Sequence, residues 1–362
     1  MKTGIIRRRH RALAAAGAVV TAVLCTPAAH AETSAIAQQA TTEPPIAEMP
    51  SQPTSVDAMA AIDGLRAGSE LGATRLALAE EDAVPVAAEI SDDGRGFLSS
   101  GGRLVLTGGV TNVEGAAGGG LTPWALISGY GTRDQFSATA FATGVNTNDF
   151  SLAIVGGSIS YGNRVEVSIA RQSFNLNAVG AALGLGREFS IRQTIVGAKV
   201  RLFGDAVLDQ DSMLPQVSIG VQYKSNDEAG VLGVLAARDD DDFDYYITAT
   251  RLFLSQSVLV SATARLTRAN QFGILGFGGP TDNSYAVEAE GSVALLLTRH
   301  LAIGGEVRTK PDQLGFKEDT AFDAFVAYAP LRNISFTLAY VDLGNIALRS
   351  QRGVYGSVQF SF

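Results

Sequence analysis

Apolar and polar residues alternate with a period of two along most of the chain beyond residue 100. That pattern restricts the chain to β-sheet with two unlike faces. Val217, Ile219, Val221 and Tyr223 alternate with Ser218, Gly220, Gln222 and Lys224; Val165, Val167 and Ile169 alternate with Glu166, Ser168 and Ala170. Val258, Val260, Ala262, Ala264 and Leu266 alternate with Ser261, Thr263, Arg265 and Thr267, while Val287, Ala289, Val293 and Leu295 lie opposite Glu288, Glu290 and Ser292. Successive side chains on a strand point to opposite faces, so each run has one apolar and one polar face. A soluble sandwich buries the apolar face, whereas a transmembrane barrel turns it to lipid.

The N-terminus points to export. Lys2, Arg7, Arg8, Arg9 and Arg11 precede an apolar run from Ala12 to Cys25, and Ala29-His30-Ala31 supplies a small-x-small cleavage site before Glu32. Residues 1–31 therefore read as a signal peptide cut between Ala31 and Glu32. Cleavage removes Cys25, the chain's one cysteine. Residues 32–99 carry a single aromatic, Phe97, and are rich in Ala, Pro, Glu, Ser and Thr. Such a segment buries too little area to offset its ordering entropy and is expected to be a disordered periplasmic extension. Within it, Met59, Ile62, Leu65, Leu71, Leu76 and Leu78 fall loosely on a helical period. Charged residues make up only 18% of the whole and the net charge is −8, against roughly 25% charged in soluble domains. That balance disfavours a soluble enzyme with a charged shell, and also a nucleic-acid partner.

Three features select the barrel, expected over residues 100–362. The last strand alternates Val354, Val358, Phe360 and Phe362 against Tyr355, Ser357, Gln359 and Ser361, and the sequence ends on Phe362. Tyr355, Val358, Phe360 and Phe362 make up the terminal pattern that outer-membrane assembly machinery reads. Fourteen strands are expected, near 102–111, 122–131, 135–145, 150–160, 164–174, 190–203, 214–225, 243–254, 257–268, 284–297, 300–309, 320–329, 333–342 and 353–362. Twelve remain possible if two merge or sit in a loop. Short links alternate with long ones, with exceptions at Gly204–Met213 and Asn146–Asp149, and an even-numbered barrel with its termini in the periplasm shows this alternation. Aromatic residues near strand ends, among them Tyr130, Phe136, Tyr161, Tyr245, Tyr246, Phe253, Tyr328, Phe336 and Tyr340, with Trp124 opening a strand, suggest an interfacial girdle.

The runs GRLVLTGGVTNVEGAAGGGLTPWALISGYGTRDQFSATAF (102–141), VGAKVRLFGDA (196–206), ANQFGILGFGG (269–279), KPDQLGF (310–316), YVDLGNIA (340–347) and QRGVYGSVQFSF (351–362) resemble a family of Gram-negative exported proteins known only as a domain of unknown function, number 3034. The resemblance covers essentially all of 102–362. It implies an outer-membrane antiparallel β-barrel and carries no activity, ligand or catalytic residue.

If the apolar face meets lipid, the opposite face lines the lumen with Glu166, Lys199, Arg201, Lys224, Arg265, Glu288, Glu290, Glu306, Arg308 and Asp323. This balanced set either creates a transverse field across a water-filled channel or pairs into a closed interior. The stretches 115–120, 178–186, 230–237 and 272–279 are apolar and glycine-rich, and are expected to pack as a lid, enter the lumen or meet a hydrophobic ligand. The acidic run Asp239–Asp242 is a solvated loop or a Ca²⁺ contact to lipopolysaccharide. Hydrolytic barrels mostly use a histidine; His10 and His30 leave with the signal, and His300 follows a turn on the expected periplasmic side, so an enzyme is disfavoured. No cofactor or metal is expected. The reading is an outer-membrane barrel, in contact with lipid, lipopolysaccharide and the assembly machinery, that passes small solutes, whether these are hydrophobic being left open. Its alternative is a non-conducting envelope barrel that acts through partners, for example in polysaccharide export.

Overall fold

A computed structural model of the chain describes residues 106, 108, 110–207 and 214–362. The expected signal peptide with its Ala31–Glu32 cleavage site, and the extension at 32–99, lie outside the described residues. Twelve strands follow in order: β1 (Phe136–Thr147), β2 (Ser151–Tyr161), β3 (Val165–Asn175), β4 (Ser190–Phe203), β5 (Gln216–Asn226), β6 (Asp241–Phe253), β7 (Val258–Thr267), β8 (Ala286–Leu296), β9 (Leu301–Arg308), β10 (Ala321–Leu331), β11 (Ile334–Ile346) and β12 (Arg349–Ser361). Each pairs antiparallel with its neighbour in sequence, and β12 pairs with β1 to close the barrel. Closure leaves no unpaired edge.

The wall explains the alternation. On β3, Val165, Val167 and Ile169 face outward and are exposed, while Glu166, Ser168 and Ala170 are buried. The same parity holds on β7, where Val260 and Leu266 are exposed, and Ser261, Thr263, Arg265 and Thr267 are buried. An apolar exterior around a polar interior inverts a soluble protein and is stable in lipid. Phe136, Tyr161, Tyr245, Tyr328, Phe336 and Tyr340 lie exposed on this exterior, but Tyr130, Tyr246 and Trp124 are buried and so do not belong to a girdle. Leu338 is 64% exposed in the middle of β11. Leu338→Arg is expected to lower folding stability in lipid vesicles by about 2–4 kcal/mol, the cost of a cation near the bilayer midplane. A urea titration that finds the midpoint unmoved would show that this face does not meet lipid.

The count is twelve because two of the fourteen expected strands are not in the wall. Every residue from 110 to 130 is buried, whereas a wall strand buries alternate residues. Pro123, which cannot donate to a ladder, already argues against a strand at 122–131. The 110–130 segment instead folds back on itself through isolated bridges, Thr111 to Ala117 and Gly118 to Pro123. The connection expected to be long between the last two strands is also shorter than the sequence suggests. β11 and β12 extend until only Ala347 and Leu348 separate them, both at positive φ. This is the geometry of a two-residue hairpin turn. The four connections of twelve or more residues at that end are 176–189, 227–240, 268–285 and 309–320. They carry two short helices, α1 (Asn177–Ala182) and α2 (Ala229–Val234).

Candidate functional site

The segment 110–130 occupies the lumen as a plug. It enters and leaves at the end of the barrel that carries the chain's C-terminus. There the Gly129 amide donates to the Gly108 carbonyl, and a Cβ built at Gly129 would lie 3.1 Å from the Phe362 carbonyl oxygen. The plug has almost no regular structure, so its amides and carbonyls need other partners. Inward side chains of the wall supply them. Glu166 accepts from the amides of Ala117 at 3.0 Å and Ser128 at 2.8 Å. Glu306 accepts from the Leu121 amide at 2.6 Å and the Thr122 hydroxyl at 2.7 Å. Lys199 Nζ donates to the carbonyls of Ala117 and Trp124, Thr263 to that of Pro123, and Ser218 to that of Ala125. The polar interior thus serves the plug's backbone.

Glycines let the plug approach this wall. A Cβ at Gly119 would sit 1.9 Å from Glu306 Oε1, and one at Gly120 3.0 Å from Asp323 Oδ2. Of the outcomes expected for the run 115–120, entry into the lumen is the one seen, since it is part of the plug. Below it Trp124 packs in an apolar layer with Leu106, Leu259, Leu296 and Phe325.

Of the ten residues expected in the lumen, Glu166, Lys199, Lys224, Arg265, Glu290, Glu306, Arg308 and Asp323 are buried. Arg201 and Glu288 are half-buried at the two rims. Arg201 pairs with Asp205 at 3.3 Å, and Glu288 accepts from the Thr309 hydroxyl. Glu166 and Lys199 pair with each other at 3.3 Å, whereas Lys224, Arg265, Glu290 and Arg308 are brought together by two acids that sequence reasoning missed, Glu114 on the plug and Asp244 on β6. Lys224 Nζ lies 2.5 Å from Glu114 and 2.7 Å from Asp244. Arg308 reaches Glu114 at 2.8 Å and Glu290 at 3.5 Å. Arg265 reaches Glu114 at 3.2 Å and Asp244 at 3.3 Å, and also pairs with Glu290. Parity could have found Asp244, which shares the inward phase of Tyr246 and Thr248; Glu114 had no phase to read.

Glu306 and Asp323 differ from this network. They stand directly opposite each other on β9 and β10. Both oxygens of Asp323, which is 4% exposed, lack a hydrogen-bond partner among the described residues. Two adjacent buried carboxylates without a cation are unfavourable together. Asp323→Asn keeps the shape, removes one charge and offers Glu306 a donor. It is expected to raise stability by about 1–3 kcal/mol, the cost of an unsatisfied buried polar group. A urea midpoint that falls instead would mean that the carboxylate is needed.

The opposite mouth is covered by its own loops. Leu232, Ile274, Leu275 and Phe277 are buried there, and the 268–285 loop dips inward until the Phe272 ring lies 4.2 Å from the Arg308 guanidinium. The Phe272 carbonyl accepts from Lys224 Nζ at 3.0 Å. Gln271 and Phe272 are consecutive non-glycine residues at positive φ, a strained geometry held by the Lys310 bond to Gln271 at 2.7 Å. Burial draws the Lys310 ammonium below the usual lysine range and pushes Glu318 above the usual carboxylate range; their mutual ion pair at 2.7 Å opposes both. The acidic run is engaged within the chain. Asp239 and Asp242 pair with Arg268, and Asp241 accepts from the Tyr223 hydroxyl. Along β12, Tyr355 is buried facing inward in mid-strand, Val358 is half-buried, and Phe360 and Phe362 are exposed outside at the C-terminal end.

The profile of a protein family of unknown function, DUF3034, matches residues 107–359. No curated protein matches in sequence. Among solved structures, the KdgM porin aligns at 12% identity over 62% of this chain and 99% of its own, with a TM-score of 0.41. An outer-membrane channel from Pseudomonas putida F1 aligns at 11% over 67% and 96%, with a TM-score of 0.39. Outer membrane phospholipase A from Escherichia coli aligns at 8% over 64% and 93%, with a TM-score of 0.34.

Proposed function

Because the chain belongs to the DUF3034 family, which is defined without an activity, its function must be read from its own lumen, and we propose that it is an outer-membrane channel for small solutes held shut by its own N-terminal plug. One observation carries this reading: the strand ladder closes around all twelve strands without any contribution from residues 110–130. The plug is attached by side-chain hydrogen bonds and ion pairs, which can be exchanged for water, and its withdrawal costs the wall no backbone pair. The apolar exterior and the terminal pattern at Tyr355, Val358, Phe360 and Phe362 support insertion into the outer membrane through the assembly machinery. Contact with lipopolysaccharide follows from the same placement. We assign no catalytic residue; His300 sits in a turn with Nδ1 at 2.9 Å from the Ala329 carbonyl.

A second reading, a non-conducting barrel that acts through partners, is favoured by the apolar layer around Trp124, which resembles a permanent core. Planar-bilayer recording of the refolded mature chain separates the two, with heat-modifiable migration as proof of folding. Openings above a closed baseline support the channel. A folded barrel that is silent, and stays silent once the plug seat is disrupted, supports the structural role.

A further inference from the structure

In the upper lumen, five consecutive strands each contribute one charge to a single cluster, alternating in sign: Lys224 on β5, Asp244 on β6, Arg265 on β7, Glu290 on β8 and Arg308 on β9. All are buried, and they contact one another in the ion pairs given above. Within this cluster the wall therefore contributes three cations against two anions, one negative charge short of neutral. The plug supplies that charge through a single carboxylate, Glu114, whose Oε1 meets both Lys224 and Arg308 and whose Oε2 faces Arg265. An uncompensated cation in such a place is costly, so the station always needs an anion.

Glu114 fits this station imperfectly. Its Oε2 and Arg265 Nη2 are 3.2 Å apart, yet neither makes a hydrogen bond. A carboxylate tethered to the plug backbone cannot turn to align with every donor, whereas a free carboxylate can align with the guanidinium fork. Aromatic faces flank the cations: Phe272 lies over Arg308 at 4.2 Å and Tyr246 over Arg265 at 5.2 Å. The walls of the station are therefore fit for the apolar part of an organic acid.

We propose that Lys224, Arg265 and Arg308 form the binding station for a carboxylate-bearing solute, and that Glu114 is a built-in surrogate for that carboxylate which the solute displaces. This rests on the gated-channel reading and names its substrate class. It also links occupancy to opening, because the anion that takes the station releases the tip of the plug.

The test is chemical rescue in the full mature chain carrying Glu114→Ala. The temperature at which the folded, fast-migrating form is lost is measured with added sodium formate, sodium acetate, or sodium chloride at equal ionic strength. The variant is expected to melt below the wild type. Formate and acetate are expected to restore most of that loss in a saturable way, chloride less, and the wild type is expected to be unmoved. If the variant folds poorly, its folding yield with and without formate gives the same readout. Equal effects of formate and chloride, or no effect of either, would overturn the proposal. Conductance of the same variant keeps the two readings apart. Rescue with silence removes the channel and leaves the anion station, whereas conductance without rescue removes the station and leaves the channel.

Discussion

Gly118→Val should convert a closed barrel into an open one. A Cβ at Gly118 would lie 2.2 Å from the Thr122 carbonyl oxygen and 2.8 Å from the Pro123 Cα. Both are backbone atoms of the plug's own return arm, so the hairpin cannot close around a valine. Ala117, Leu121 and Thr122, which deliver the hydrogen bonds to Glu166 and Glu306, all flank the clash. No wall residue is touched. Overpacking of this kind costs about 1–3 kcal/mol, and each 1.4 kcal/mol is about tenfold in an equilibrium. The open fraction should therefore rise by about tenfold to a hundredfold in single-channel recordings, with heat-modifiable migration like that of the wild type. Gly230→Val is the control, since a Cβ there meets nothing within 4 Å. A folded Gly118→Val barrel that stays as silent as the control would mean that something other than the plug seat closes the lumen, and the channel reading would lose its basis.

The wall was legible because the period of two is a direct consequence of strand geometry between lipid and lumen. Ten of the twelve strands lie within about two residues of their expected bounds at both ends, and the other two, β11 and β12, run on to the single turn at Ala347–Leu348 that joins them. The plug was not legible for a physical reason. A segment buried on every side has no alternation, and Thr122–Gly131 carries enough apolar residues to pass for a strand. Only Pro123 argued otherwise. The inward charges could be named from parity, but parity says which face a residue occupies and nothing of its partners. So the sequence left a field-lined pore and a paired interior equally open. The deciding residue, Glu114, lies in a stretch, GVTNVEGAAGGG, whose glycines suggest an exposed loop. Gly119 and Gly120 are instead where the plug's backbone passes close to Glu306 and Asp323 of the wall, and Gly118 is where it passes its own return arm.

Arg265→Met should be the most destabilising single change in the lumen. Arg265 is the hub of the station: it contacts Glu114, Asp244 and Glu290, and donates to Gln222 Oε1 at 2.8 Å. Methionine fills similar space without the charge, leaving Lys224 and Arg308 against three carboxylates. Breaking a buried ion network from one side typically costs about 3–5 kcal/mol, because the remaining charges stay buried without compensation. A urea titration in lipid vesicles should show a loss of that size. Adding Glu114→Gln to Arg265→Met removes the surplus anion, so the double variant should lose clearly less than the sum of the two single losses. The size of the Arg265→Met effect also reports the medium of the lumen. A loss below about 1 kcal/mol is what a solvated ion pair contributes. Such a result would put these charges in water around a plug that is already loose, whereas the full loss would place them in a dry interior that only a competing anion can enter.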